Sequence, residues 1–145
     1  MAFAVESVPP EARLFCHPSK CAEGLLDCGT EPSVIAAFKG KKDSNDRRFR
    51  ASVDWEKYKT IAECIRPKSM AILAVTAAQC RAVGKEVEHT PICETDLVNQ
   101  AHCDICDPVG CPMSNTQNTE ASSKLAEVAV IVWPEEGLSL ITPPS

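Results

Sequence analysis

The chain has 145 residues, 44% hydrophobic and 24% charged, with a formal net charge of −5. These are globular proportions, and they exclude a disordered tail. Aromatic content is only 5% and there are 11 prolines, so the core must rest on Ala, Val, Ile and Leu in short helices and strands.

No stretch reads as a leader, because Met1 to Pro10 lacks both a basic n-region and an apolar h-region. The longest apolar run, Met70 to Val83, falls short of the about 20 residues that cross a bilayer. The expectation is an intracellular, cytoplasmic protein with no membrane partner. Its nine cysteines are then reduced thiols or metal ligands, and their odd number leaves at least one unpaired within the chain. A secreted form whose leader lies outside this sequence is the alternative.

In chain order, residues 1–33 read as an irregular segment, broken by prolines 9, 10, 18 and 32 and carrying Cys16, His17, Cys21 and Cys28. Ala22 to Asp27 suggests a short helix and Val34 to Lys39 a second apolar piece. Residues 39–50 form a basic, turn-prone loop. Asp54 is placed to cap a helix from Trp55 to Ile65, whose apolar residues fall at helical spacing and which Arg66-Pro67 ends. Ser69 caps a second helix, Met70 to Val83, with Gly84 as its left-handed terminator. Thr95 caps a short helix from Asp96 to Ala101, and residues 114–123 read as a polar linker. Glu127 to Trp133 predicts a buried strand, followed by a turn at Pro134 to Gly137 and a returning arm from Leu138 to Thr142. The expected fold class is α+β: one small domain over 1–145, short helices plus a C-terminal β-hairpin, around a cysteine-rich metal-type knuckle.

That knuckle is Cys103-Asp-Ile-Cys106-Asp-Pro-Val-Gly-Cys111. A two-residue gap lets two thiolates turn toward one ion about 2.3 Å away, and Asp107 to Gly110 supplies a bend that returns Cys111. Cys93, His89 and the Cys16, His17, Cys21 and Cys28 group are candidates for the remaining ligand. The expected metal set is Cys103, Cys106, Cys111, Cys93, Cys16 and Cys21, holding zinc, with an iron–sulfur cluster as the alternative. The four residues between Cys106 and Cys111 fit the usual iron–sulfur run poorly. Cys64 and Cys80 fall on apolar helix faces and read as small core residues.

Between Lys39 and Lys68 there are ten Lys and Arg against five Asp and Glu, a basic island in an acidic chain. Lys41, Lys42, Arg47, Arg48 and Arg50, with Phe49 as a stacking ring, are the candidate nucleic-acid contacts. No Ser/His/Asp set, paired carboxylates or glycine-rich phosphate loop stands out. These features predict a zinc-binding interaction or regulatory module rather than an enzyme, with a protein or nucleic acid as partner. A thiol-based or iron–sulfur redox protein is the second reading.

Overall fold

Phe49-Arg-Ala-Ser-Val-Asp-Trp alternates apolar and polar residues with a period of two, the signature of a half-buried strand. The computed structural model, which describes residues 3–17, 32–65, 71–133 and 138–139, has that strand near the middle of a curled antiparallel sheet. The strands in chain order are β1 (Arg13–Cys16), β2 (Lys41–Lys42), β3 (Phe49–Trp55), β4 (Ile72–Thr76), β5 (Glu86–His89), β6 (Ile92–Cys93), β7 (Val98–Asn99), β8 (His102–Cys106), β9 (Val130–Trp133) and β10 (Leu138–Ser139). The helices are α1 (Pro32–Lys39), α2 (Ile61–Cys64), α3 (Ala77–Ala82) and α4 (Asn115–Val128). The sheet order is β10-β9-β4-β1-β3-β8-β5 with β2 paired to β3, while β6 and β7 make a separate hairpin.

Alternation along each strand divides the core between two faces. On one face Leu14, Val53, Trp55, Leu73, Val75, Ile105 and Ile131 pack with Phe38 of α1, Cys80 of α3 and Leu125 of α4. On the other, Phe15, Ile72, Ala74 and Val132 pack with Cys64 of α2. The second face is apolar only over β1, β4 and β9. Over β3, β8 and β5 it carries Arg50, Ser52, Asp54, His102, Asp104, Cys106 and Glu88, and this polar half holds the candidate site.

The fold class is therefore corrected: the protein is dominated by its sheet, and the strands are not confined to a C-terminal hairpin. The segment read as irregular supplies β1, the central strand of the order. The helix expected from Trp55 shrinks to α2, capped not by Asp54 but by Thr60, with Glu63 completing a capping box. Met70 to Val83 divides at Thr76. Residues 72–76 are a strand buried on both faces, and Thr76 with Gln79 caps the short helix α3. Gly84 does adopt a left-handed conformation, φ +88°. Asp96 to Ala101 is not helical, since Val98 and Asn99 pair with Ile92 and Cys93. The expected linker at 114–123 lies within α4 and its cap, where Ser114 and Gln117 form a capping box and Asn118, Ala121, Ser122, Leu125 and Ala126 face inward. The helix expected at Ala22 to Asp27, the Ser69 cap and the turn at 134–137 lie outside the described residues.

One buried polar network ties the layers together. Lys85 Nζ donates to Asp107 Oδ1 at 2.6 Å and to Asn118 Oδ1 at 2.5 Å, with Lys85 and Asp107 side chains 1% and 0% exposed. The other carboxylate oxygen of Asp107 accepts from the N–H groups of Phe49 and Met113, both at 2.9 Å. Asn118 Nδ2 donates to the Lys39 carbonyl at the end of α1. Close by, Gly40 has φ +60°, and a Cβ there would lie 1.9 Å from the Arg50 carbonyl oxygen, so only glycine fits this crossing of α1 over β3.

Candidate functional site

Three ligand-type side chains converge at the polar half of the sheet from three separate places in the chain. His17 follows the last residue of β1, Asp54 lies near the end of β3, and Cys64 ends α2. His17 Nε2 lies 3.1 Å from Asp54 Oδ2, Cys64 Sγ donates to the same oxygen at 3.9 Å, and all three ligand atoms fall within 4.8 Å of one another. Among the described residues this is the sole group of three or more His, Cys, Asp or Glu so arranged. The strand pattern explains why Asp54 is here: Val53 and Trp55 enter the apolar face, so Asp54 turns to the other.

The surroundings orient the carboxylate. Asn99 Nδ2 donates to Asp54 Oδ1 at 2.8 Å, while its own Oδ1 accepts the Ala101 N–H and fixes the amide. Lys59 Nζ stands 3.6 Å from Asp54 Oδ2. Burial alone would raise the Asp54 carboxyl, but the hydrogen bonds from His17 and Asn99 and the charge of Lys59 outweigh it and hold the group at about 2. An ionised carboxylate only accepts, so His17 Nε2 carries a proton toward it. A pocket of about 240 Å³, lined by His17, Ser52, Val53, Asp54, Asn99 and His102, opens the site to solvent.

This geometry has a consequence in acid. A carboxyl depressed from the usual 3.8 to about 2 stabilises the fold fully above the unfolded value and loses that contribution as pH falls through the folded one. On the order of 2 kcal/mol should disappear between about pH 4 and pH 2. Asp54→Asn should remove that component of the acid-unfolding curve; an unchanged curve would mean that the carboxylate is not held as described.

The cysteines expected to share an ion are dispersed. Cys103 and Cys106 sit three residues apart on strand β8 and so point to opposite faces. Cys103 lies in the main core, and burial pushes its thiol up to about 12. Cys106 lies beneath Arg48, whose Nη2 donates to its sulfur at 3.2 Å, and burial again raises the thiol to about 12. Cys111 is exposed beyond the turn at Gly110, and Cys93 is exposed in the β6–β7 hairpin. Cys16 is buried in the main core, its thiol also pushed up to about 12 by burial, and Cys21 lies outside the described residues. The knuckle is thus a strand and a turn that do not bring Cys103, Cys106 and Cys111 together.

The basic loop is differently disposed from the expectation as well. Lys41, Lys42 and Arg47 are exposed, but Phe49 is buried and lies beneath Lys42 and Lys85. Arg48 is 6% exposed and donates to the Asp107 carbonyl at 2.7 Å and to Glu88 at 2.6 Å. Arg50 pairs with Asp46 at 2.6 Å, Glu88 at 3.1 Å and Asp104 at 3.3 Å. These two guanidiniums hold the loop on the sheet, and Phe49 presents no face on which a base stacks.

In the sequence, Asp54 has the look of a helix cap and Cys64 that of a core residue. The period-two run of 49–55 was the signal that places Asp54 on a polar face. No signal joins Cys64 to His17, since their proximity depends on β1 pairing with β3. No family model, curated protein or solved structure matches the chain.

Proposed function

We propose that the protein is a small zinc-binding interaction or regulatory module whose metal ligands are His17, Asp54 and Cys64. The observation that carries this reading is the spacing of the three ligand atoms. Zinc bonds of about 2.0 Å to nitrogen and oxygen and 2.3 Å to sulfur give tetrahedral ligand–ligand edges of about 3.3–3.6 Å. Two of the three separations, 3.1 and 3.9 Å, bracket those edges and the third lies within 4.8 Å, so side-chain shifts close the set. Binding exchanges the protons on His17 Nε2 and Cys64 Sγ for the ion and displaces the Lys59 ammonium, whose long stem lets it swing outward. The pocket leaves room for water as a fourth ligand.

Asn99 bonds the ligand Asp54 and extends directly from β7, so the ion also steadies the hairpin that exposes Leu97 and Val98. A protein partner suits this arrangement better than nucleic acid, because carboxylates already neutralise Arg48 and Arg50 and Phe49 is buried. No helix among the described residues is long and apolar enough to cross a membrane. The raised thiols of Cys16, Cys80, Cys103 and Cys106 disfavour thiolate redox chemistry at those positions.

The test is zinc stoichiometry in protein purified under reducing conditions and dialysed against a weak chelator. One equivalent is expected in the wild type and in Cys106→Ser, and none in Asp54→Asn or Cys64→Ser. Retention by Cys64→Ser, or loss in Cys106→Ser with the fold intact, would overturn the assignment.

A further inference from the structure

The pocket beside the three ligands holds a second arrangement that uses none of them. Ser52 on β3 and His102 on β8 project from the same face of the sheet, and Ser52 Oγ lies 3.1 Å from His102 Nε2. On its other side, His102 Nδ1 lies 3.0 Å from the Thr90 carbonyl oxygen and 2.8 Å from Thr90 Oγ1. A carbonyl only accepts, so Nδ1 carries the proton of the neutral ring and the Nε2 lone pair faces the serine hydroxyl. This is the tautomer a general base needs. The Thr90 backbone is itself held, because its N–H donates to the His102 carbonyl at 3.0 Å. Ser52 is exposed, and both it and His102 line the 240 Å³ pocket.

From this geometry we propose that Ser52 and His102 form a nucleophile–base dyad that accepts acyl groups from small activated esters. The hydroxyl, the base and the group orienting the base follow the order that activates a serine elsewhere in protein chemistry. The pocket size restricts the acyl donor to a short one, and the polar walls of His17, Asp54 and Asn99 disfavour a long aliphatic tail. In the first step Ser52 Oγ bonds to the ester carbonyl carbon while its proton passes to His102 Nε2. The bond to the leaving alkoxide breaks, and the alkoxide takes that proton and departs as the alcohol. Water then attacks the acyl-serine, giving its proton to the same nitrogen. The Ser52 ester bond breaks, the serine recovers the proton, and the carboxylic acid leaves.

The chain contains the complete dyad without any ion, so the test uses the full chain with a strong chelator present and is independent of zinc binding. The probe is an alkyl fluorophosphonate, whose phosphorus takes Ser52 Oγ as fluoride leaves and His102 receives the proton. Peptide mapping should locate the adduct on Ser52, formed about 100-fold faster or more than on the exposed Ser44, the range general-base assistance supplies. Ser52→Ala should abolish that adduct. His102→Ala should slow it to the Ser44 rate, and added imidazole should restore part of it, a rescue that a purely structural histidine would not give. His102→Gln, with its fold checked by circular dichroism, guards against a variant that merely unfolds. p-Nitrophenyl acetate should be hydrolysed by the wild type well above the background rate that Ser52→Ala retains. Labelling of Ser52 no faster than Ser44, or undiminished in a folded His102→Gln, would overturn the proposal.

Discussion

Asp107→Ala is expected to lower unfolding free energy by about 3–5 kcal/mol, the cost of leaving a buried charge without its partner. The reason lies in how completely the carboxylate is used. One oxygen accepts from Lys85, the other from the N–H groups of Phe49 and Met113, and no part of the side chain reaches water. Alanine strands the Lys85 ammonium and two backbone donors together. Burial pushes the Asp107 carboxyl up, but the Lys85 ammonium and the two N–H donors hold it below its usual value. Its contribution is therefore present above the ordinary carboxylate range and lost as pH falls through the folded value. Urea unfolding near neutral pH provides the measurement. Replacing both charged partners with apolar residues, as in Lys85→Met with Asp107→Leu, should cost less than Asp107→Ala alone, because no buried ammonium is then left without its carboxylate, although the Phe49 and Met113 N–H groups still lose their acceptor. A loss below about 1 kcal/mol for Asp107→Ala would show that the pair is not the buried tie described.

Saturating zinc is expected to stabilise the reduced protein by about 2.7 kcal/mol at a hundred times the dissociation constant and about 4.1 kcal/mol at a thousand times. For a chain of this size each kcal/mol moves the melting temperature by about 2–4 °C, so the rise should be several degrees to more than ten. Nine cysteines in the unfolded chain also take up zinc, which trims the effect. Asp54→Asn and Cys64→Ser should abolish the rise, the first by removing a ligand charge and the second by removing the sulfur. Cys106→Ser should keep it, since Cys106 lies under Arg48 and not at the cluster. Thermal unfolding with and without zinc, in reductant, decides the matter; equal rises in all three variants would place the ion elsewhere.

The sequence carried local signals faithfully and tertiary ones poorly. Gly84 was legible as a left-handed residue because a helix end beside glycine has one economical geometry. The strand expected over Glu127 to Trp133 was legible in its second half, Val130–Trp133, where β-branched residues crowd a short run, whereas Glu127 and Val128 end α4. Two strands were hidden by sequences that also satisfy a helical pattern. Ala71 to Val75 is apolar at every position, so periodicity could not separate a doubly buried strand from a buried helix. At β3 Trp55, Tyr58 and Ile61 fall at helical spacing, but Phe49, Ala51, Val53 and Trp55 alternate at the period of a strand. The cysteine spacing misled for a related reason. Cys-x-x-Cys converges in a turn, but His102 to Cys106 is drawn into a strand by pairing with β3 and β5, and an odd separation then splits the thiols across the sheet. The candidate site escaped because its members lie 37 and 10 residues apart along the chain, joined by strand pairing that no local pattern encodes.

Zinc K-edge X-ray absorption on the zinc-loaded protein tests the central claim most directly, because it counts sulfur ligands. The assignment to His17, Asp54 and Cys64 predicts one sulfur near about 2.3 Å and three nitrogen or oxygen neighbours near about 2.0 Å, with an imidazole scattering signature that disappears in His17→Ala. Three or four sulfurs at about 2.3 Å would contradict it and return the ion to the cysteines of the 103–111 segment.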